Sequence, residues 1–265
     1  LFKGDFLLYV VYIVNRKFHA EDILLIEYIV YVLHPFYTLI HMAAGAVIFP
    51  ILLWAKLTTL KEKLSLYFIG AVIAIVPDIP KIILLHFGHS IFFTPFISLL
   101  LAYFLKKFIQ TSFMRIWMAV ALTIILAHLL LDFLGNGVEI LYPIVPDEYA
   151  FHIISDERII TIFLSLGLLC GLLIKYSKTV LFSFLMVLCL FFSIVGYSKI
   201  QLEETLSQHF SDDPTFKIET YPIQTIPFIW AYKIRTDGSY YYGTSSIWTK
   251  EIHFEKRSRG YDYDG

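Results

Sequence analysis

The sequence predicts an all-α polytopic membrane helical bundle with about six core transmembrane helices and a small C-terminal, extracytoplasmic, mainly β domain. Hydrophobic residues make up 58% of the 265-residue chain and charged residues 16%, whereas a soluble domain carries about 25% charged residues. Long apolar segments recur as far as about residue 197. Beyond that point polar residues and prolines become frequent, so a separate domain is expected there.

Six apolar segments are candidates for the core helices. They run approximately over residues 38–55, 64–80, 90–105, 116–134, 159–174 and 179–197. Several lie near the lower limit of the roughly 17–25 residues that cross hydrocarbon, which suits helices whose ends are protected inside a bundle. Residues 1–36 form an apolar extension of one or two further helices, and Pro35 ends the second one. The predicted domains are therefore 1–36, 37–197 and 198–265.

The loops between these segments indicate an orientation. Three connections are basic and the others are acidic or mixed; the basic ones carry Lys56, Lys61 and Lys63, then Lys106, Lys107 and Arg115, then Lys175 and Lys178. Cytoplasmic loops of membrane proteins carry an excess of Lys and Arg. We therefore expect a protein of the cytoplasmic (inner) membrane, with the other loops and residues 198–265 outside.

The C-terminal region contains a hairpin signal. Asp237-Gly238 separates the aromatic and β-branched runs Phe228–Arg235 and Tyr240–Trp248, and Asp-Gly between such runs favours a tight β-turn. A formal net charge of −1 gives no indication of nucleic-acid binding. Cys170 and Cys189 lie singly in apolar runs without the C-x-x-C spacing of a metal or redox site.

Ionisable residues at the ends of the apolar segments are the most informative feature for function. They are His41, Asp78, His86, His89, His128 and Asp132. Such side chains are costly at membrane depth, so they normally pair, line a cavity or bind an ion. The predicted topology places all of them at the outer face. His128 and Asp132, four residues apart, also share one face of their helix.

Imidazole and carboxylate groups together suit zinc and similar divalent metals. A catalytic zinc lowers the pKa of a bound water toward about 7, which supports hydrolysis of an ester or phosphoester. Asp78 and His86 are the candidate acid–base residues. Simpler interpretations remain open, because a single His at a helix end is usually only hydrogen-bonded. Asp78 can also cap a loop between Pro77 and Pro80, and His128 can bond Asp132 within one helix.

Several short motifs occur in a recognisable order. They are His41-Met-Ala-Ala-Gly45, Pro77-Asp78-Ile79-Pro80, Gly88-His89-Ser90 and His128-Leu-Leu-Leu-Asp132, followed by Gly137 and Tyr142-Pro143. Over about residues 38–248 this set resembles the membrane-bound metal-dependent hydrolase family, which includes LexA-regulated inner-membrane members. It is also distantly similar to zinc-dependent phospholipase C.

The resemblance implies one or two divalent metal ions, with zinc as the expected metal. Their implied ligands are His41, Asp78, His89, His128 and Asp132. It implies a membrane lipid or another amphiphilic phosphoester as substrate. The chain departs from the family pattern at Pro80, where a second acidic residue is usual, and at Lys81, where a His is common. These departures weaken the case for two metals.

The function predicted from the sequence is an integral-membrane, metal-dependent hydrolase that acts on an ester or phosphoester at the outer membrane face. The alternative is a non-catalytic membrane protein with a structural metal or polar cluster, whose outer domain binds a partner. A metal- or proton-coupled transporter fits less well, because the ionisable residues gather at one face and do not continue toward the other.

Overall fold

The computed structural model of the chain describes residues 35–54, 58–83, 86–154, 157–174, 177–210, 216–223, 229–236, 239–246, 248 and 252–258. Almost all of the predicted N-terminal extension, residues 1–36, lies outside this part of the chain. Only Pro35 and Phe36 are included, as the start of the first described helix.

The described part of the chain contains six helices. They are α1 (Pro35–Leu52), α2 (Leu60–Ile75), α3 (Thr94–Leu105), α4 (Phe113–Leu134), α5 (Glu157–Leu173) and α6 (Ser177–His209). Between α2 and α3 the backbone forms two 3₁₀ segments, Val76–Ile83 and His86–His89. Within α4, Ile125–Leu129 has π-helical geometry.

The predicted bundle of six transmembrane helices is wrong. Among the described residues, two helices, α4 and α6, are long and apolar enough to cross a membrane. With a rise of 1.5 Å per residue, the 16 residues of α2 extend about 24 Å and the 12 residues of α3 about 18 Å. A hydrocarbon core is about 30 Å thick. The apolar runs looked longer in sequence because they continue through turns, as residues 64–80 do into the 3₁₀ segment Val76–Ile83.

Local sequence explains where α2 begins. Thr59 is its N-cap: the Thr59 hydroxyl accepts a hydrogen bond from the Glu62 N–H at 3.2 Å, and the Glu62 carboxylate accepts one from the Thr59 N–H at 3.0 Å. This capping box satisfies two N–H groups that have no partner inside the helix.

Helices α1 and α2 cross closely at a pair of glycines. A Cβ on Gly45 would collide with the carbonyl oxygen of Gly70, and a Cβ on Gly70 would collide with that of Gly45. Only glycine allows two backbones to approach so closely. The crossing brings the segment after α2 toward the first turns of α1.

A buried lysine joins α2 to the end of α5. The Lys63 ammonium donates hydrogen bonds to the carbonyls of Gly171, Leu172 and Ile174 at 2.9–3.0 Å. The last carbonyls of a helix have no partner within the helix, and a lysine can satisfy them. Lys63, which the basic pattern places in a connection between helices, therefore lies within α2 and caps the end of α5.

The C-terminal strands form one antiparallel sheet in the order β1 (Lys217–Pro222), β2 (Ile229–Arg235), β3 (Ser239–Ser246) and β4 (His253–Ser258). Ile234 of β2 faces Tyr241 of β3, so the predicted hairpin is confirmed. On β2, Trp230, Tyr232 and Ile234 are buried and alternate with less buried neighbours.

This sheet packs on the end of α6, which continues to His209 and does not stop near residue 197. Leu202 and Leu206 of α6 contribute to the same small core as the buried side of β2. The Trp230 indole N–H also donates to the Ser198 hydroxyl at 2.9 Å. Leu134, the last residue of α4, belongs to this core. The sheet therefore lies at the end of the helical bundle where Asp132 is found.

Candidate metal centre

Four elements of the chain bring ionisable side chains together. His41 comes from α1, His128 and Asp132 come from α4, and Asp78 and His89 come from the two 3₁₀ segments. We call these five residues the His/Asp cluster. Four of them are buried, and the exception is Asp78, whose side chain is 40% exposed. The cluster therefore opens to its surroundings on the Asp78 side.

Imidazole nitrogens and carboxylate oxygens converge in the cluster. His89 Nε2 lies 3.0 Å from His128 Nε2, 3.2 Å from Asp78 Oδ1 and 3.6 Å from Asp132 Oδ2. His128 Nε2 lies 3.3 Å from Asp132 Oδ2 and 3.7 Å from Asp78 Oδ1. These atoms form a compact group in which each histidine turns its Nε2 toward both carboxylates.

These separations fit ligands around one small divalent ion. Zinc binds His nitrogen at about 2.0–2.1 Å and carboxylate oxygen at about 2.0–2.2 Å, which places two ligands of a tetrahedral ion about 3.3–3.5 Å apart. The observed separations of 3.0–3.7 Å bracket that value. The chemistry of the set, nitrogen and carboxylate oxygen, also suits zinc.

His41 completes the cluster from the other side of Asp132. Its Nδ1–H donates to the carbonyl oxygen of Ala127 at 2.8 Å, and its Nε2 lies 3.1 Å from Asp132 Oδ1. The two oxygens of Asp132 therefore face different groups: Oδ1 faces His41, while Oδ2 faces His89 and His128.

The backbone around His128 and Asp132 departs from a regular α-helix. His128 lies in the π segment Ile125–Leu129, and such bulges are frequent at functional sites. Just beyond Asp132 the helix ends, and the N–H of Gly137 donates to the Asp132 carbonyl at 2.7 Å. Gly137 has a φ of 111°, a conformation that L side chains rarely adopt. The glycine is thus required by the turn that follows Asp132.

The segment that carries His89 is fixed by the loop after α4. The Ser90 hydroxyl donates to the carbonyl oxygen of Tyr142, and the Ile91 N–H donates to the carbonyl of Ile140 at 3.0 Å. Ser90 and Tyr142 belong to the sequence motifs, but the motifs by themselves indicate no role for them. Their position shows that they hold the His89 segment against the loop.

Asp78, on the open side of the cluster, has a lowered pKa. Burial raises its pKa, but the hydrogen bond with His89 and the charges of His128, His89 and His41 outweigh this effect and lower the pKa to about 2. The carboxylate is therefore ionised at neutral pH, the form that binds a cation or accepts a proton. On the buried side, Nδ1 of His89 and Nδ1 of His128 have no hydrogen-bond partner among the described residues.

The structure brings together the five predicted ligands His41, Asp78, His89, His128 and Asp132. Their action as ligands, and the acid–base role of Asp78, stay predictions. The backbone of His86 lies in the segment His86–His89, but its side chain is outside the described part of the structure. His152 lies apart from the cluster and donates its Nδ1–H to the carbonyl of Gly135 at 2.8 Å.

Comparison with known protein families identifies the family of the chain. Residues 37–200 match the YdjM inner membrane protein family, and the chain belongs to that family. The matched range contains the whole His/Asp cluster. No curated protein and no solved structure matches the chain. The chain is thus an inner membrane protein, and α4 and α6 are its two candidate membrane spans among the described residues.

Proposed function

We propose that this member of the YdjM inner membrane protein family is a metal-dependent hydrolase that cleaves an ester or phosphoester bond at the membrane. The observation that carries the proposal is the set of donor atoms from His89, His128 and Asp132, which lie 3.0–3.6 Å from one another in a buried position. Two His nitrogens and one carboxylate oxygen form a ligand set of the kind found in zinc hydrolases.

In this proposal His89, His128 and Asp132 hold one divalent ion, with zinc as the preferred metal. A bound zinc supplies Lewis acidity and lowers the pKa of water toward about 7. The protein contributes the fixed geometry: π-helical backbone at His128, the Gly137 turn after Asp132, and the loop that holds His89. All three side chains are buried, so solvent does not compete freely for the ion on that side.

Asp78 is proposed to act at the open side of the site. Its Oδ1 lies 3.2 Å from His89 Nε2 and 3.7 Å from His128 Nε2, close to the same centre. Because this carboxylate is partly exposed and ionised, it can accept a proton from an attacking water. His86 was the other predicted acid–base residue, and that role stays a proposal.

The position of the cluster on α4 supports a lipid or other amphiphilic substrate. Asp132 lies two residues before the end of α4 at Leu134, and His128 lies one turn further back. At 1.5 Å per residue these positions are about 3 Å and 9 Å from the helix end. If α4 spans the hydrocarbon core, the cluster lies near the level where acyl chains join their head groups. A membrane lipid presents its ester and phosphoester bonds at that level.

A closed structural metal site is the second candidate, and one observation favours it. Asp78 Oδ1 lies within 3.7 Å of both histidine nitrogens and can serve as a fourth ligand, and structural zinc sites use four protein ligands whereas catalytic ones keep a position open. The two functions differ in the role of Asp78: it is a ligand in the structural site and an acid–base residue in the hydrolase.

The experiment compares the detergent-purified full chain with the variants Asp78→Asn, His128→Ala and His152→Asn. Metal content is measured by elemental analysis, and hydrolysis is measured with bis(p-nitrophenyl) phosphate, p-nitrophenyl butyrate and phospholipid vesicles. His152→Asn is the matched control, because His152 lies outside the cluster in a positive-φ conformation that Asn tolerates.

A hydrolase should contain about one zinc per chain in the wild type, the control and Asp78→Asn, and no zinc in His128→Ala. Asp78→Asn should lose most of its hydrolysis. If Asp78→Asn instead loses the zinc and no substrate is cleaved by the wild type, the structural site is correct. A wild-type protein without bound metal, even after reconstitution with zinc, would exclude both functions.

A further inference from the structure

His41 differs from the other histidines of the cluster because both of its ring nitrogens already face a protein acceptor. Nδ1 bonds the Ala127 carbonyl at 2.8 Å and Nε2 lies 3.1 Å from Asp132 Oδ1. A carbonyl only accepts hydrogen bonds, so Nδ1 must carry a proton. At Nε2 the carboxylate is also an acceptor, so either a proton or a cation lies between that nitrogen and Asp132.

The surroundings of His41 favour a proton, and not a second metal ion, between its Nε2 and Asp132. An ion between His41 and Asp132 would require a third protein ligand, and His128 offers a donor atom within 4.8 Å of both. However, a neutral imidazole has a single acceptor nitrogen, and in His128 the nitrogen that faces the other ligands is Nε2, which lies 3.0 Å from His89 Nε2 and 3.3 Å from Asp132 Oδ2. The first ion therefore uses the one lone pair of His128 that a second ion would need.

We propose that His41 is a positioning residue and not a metal ligand. This inference rests on the metal centre of the proposed function. His41 donates its Nε2–H to Asp132 Oδ1, which turns Oδ2 of the same carboxylate toward His89 and His128. Its Nδ1–H donates to the carbonyl oxygen of Ala127, the residue before His128 in the π segment. One imidazole thus fixes both the orientation of the carboxylate ligand and the backbone that carries the adjacent histidine.

Hydrogen-bonded partners behind metal ligands are known to tune affinity, and their loss costs about 10–100-fold in metal binding. Two conservative variants separate the two bonds of His41. In His41→Gln the side-chain amide can reach Asp132 and donate in place of Nε2–H. In His41→Asn the shorter amide can replace the Nδ1–H bond to Ala127 but cannot reach Asp132. A ligand of a second ion would be lost in both variants.

The test measures zinc stoichiometry, zinc affinity by chelator competition, and the visible absorption of the cobalt(II)-substituted full chain. We expect about one zinc in the wild type and in both variants, with affinity within about threefold in His41→Gln and about 10–100-fold weaker in His41→Asn. The cobalt spectrum should keep the same band positions, because the ligands are unchanged. His128→Ala, which removes a ligand, should lose the ion.

The inference is overturned if the wild type holds two ions and His41→Gln holds one, or if the cobalt bands change in His41→Gln. Equal affinity in His41→Asn and the wild type also overturns it, because the bond to Asp132 would then have no effect. In each of these cases zinc is still bound and the proposed metal centre stands. A wild type that binds no zinc overturns both proposals together.

Discussion

His89 Nε2 and His128 Nε2 lie 3.0 Å apart, although 39 residues separate them in the chain. Two imidazole lone pairs at this distance repel each other unless a proton or a cation lies between them. Both rings are buried, and Asp78 and Asp132 add two carboxylates to the same small volume. A divalent cation would relieve this arrangement, so the folded cluster is already close to a metal-binding geometry.

Zinc should therefore stabilise the folded protein. A ligand that binds only the native state adds about 2.7 kcal/mol of stability when its concentration is 100 times its Kd. We expect the Tm of the metal-free protein in detergent to rise when zinc is added and to fall again with a chelator. His128→Ala serves as the control, because its Tm should not respond to zinc. An equal response in His128→Ala would place the bound zinc elsewhere on the protein.

Asp78 should make the stability of the metal-free protein depend on acid pH. Its pKa in the folded protein is about 2, below the ordinary value of 3.8. A lowered carboxyl pKa contributes stability above pH 3.8, and this contribution is lost as the pH falls through about 2. The Tm difference between the wild type and Asp78→Asn should be largest above pH 5 and should shrink between pH 4 and 2.

Asp147→Asn is a suitable control for this measurement, because Asp147 is exposed and lies outside the cluster. Its Tm should follow that of the wild type across the same pH range. A difference between the wild type and Asp78→Asn that stays constant from pH 6 to pH 2 would contradict the lowered pKa.

The glycine crossing of α1 and α2 should not accept even a methyl group. In Gly70→Ala the new Cβ would collide with the Gly45 carbonyl and would lie 2.8 Å from the Phe49 Cβ. Overpacking of this kind costs about 1–3 kcal/mol. Because α1 carries His41 and the segment after α2 carries Asp78, zinc affinity should fall together with the Tm.

Gly196→Ala provides the comparison, since its Cβ would lie 3.2 Å from one edge of the Phe151 ring, which can shift. We expect a smaller loss of Tm and unchanged zinc affinity in that variant. Equal losses in the two variants would show that the α1–α2 crossing has no special importance.

Lys63 should stabilise the end of α5 through its charge and hydrogen bonds. In Lys63→Met the apolar stem is kept, but the carbonyls of Gly171, Leu172 and Ile174 lose the ammonium donor. The carbonyls of Gly171 and Ile174 keep the hydrogen bond from the Ser177 hydroxyl. Loss of a charged hydrogen-bond donor from these carbonyls costs about 1–3 kcal/mol. Lys61→Met changes an exposed lysine two residues away and should leave the Tm almost unchanged. The role of Lys63 would be refuted by similar Tm values for the two variants.

Trp230 should be essential for docking the sheet on α6. Its side chain is 1% exposed and its indole N–H bonds the Ser198 hydroxyl. Truncation of a buried aromatic side chain costs about 3–5 kcal/mol. Trp248 is 69% exposed, so Trp248→Ala should change the stability by no more than about 0.5 kcal/mol. Limited proteolysis should detach the strands in Trp230→Ala first. Equal protease resistance in the two variants would mean that Trp230 does not hold the sheet.

The sequence alone determined the chemistry of the cluster and some local structure. The residue types and the spacing of His128 and Asp132 indicated a shared helix face, and the order of the motifs indicated that His41, Asp78 and His89 belong with them. The Asp237-Gly238 turn indicated the pairing of β2 with β3. The shared helix face and the hairpin depend on short-range geometry, that is, on the helical period and on turn conformation, which a few neighbouring residues determine. The grouping of His41, Asp78 and His89 with the other two residues rests on the family resemblance.

Tertiary structure decided the rest. Apolar runs do not show where each helix ends, so the sequence predicts six spans whereas two helices among the described residues have the required length. Sequence also could not show that Lys63 reaches the end of α5, that Gly45 meets Gly70, or which oxygen of Asp132 faces His41. These features are contacts between segments that lie far apart in the chain. Packing of the whole bundle determines them, and no local pattern encodes the resulting distances.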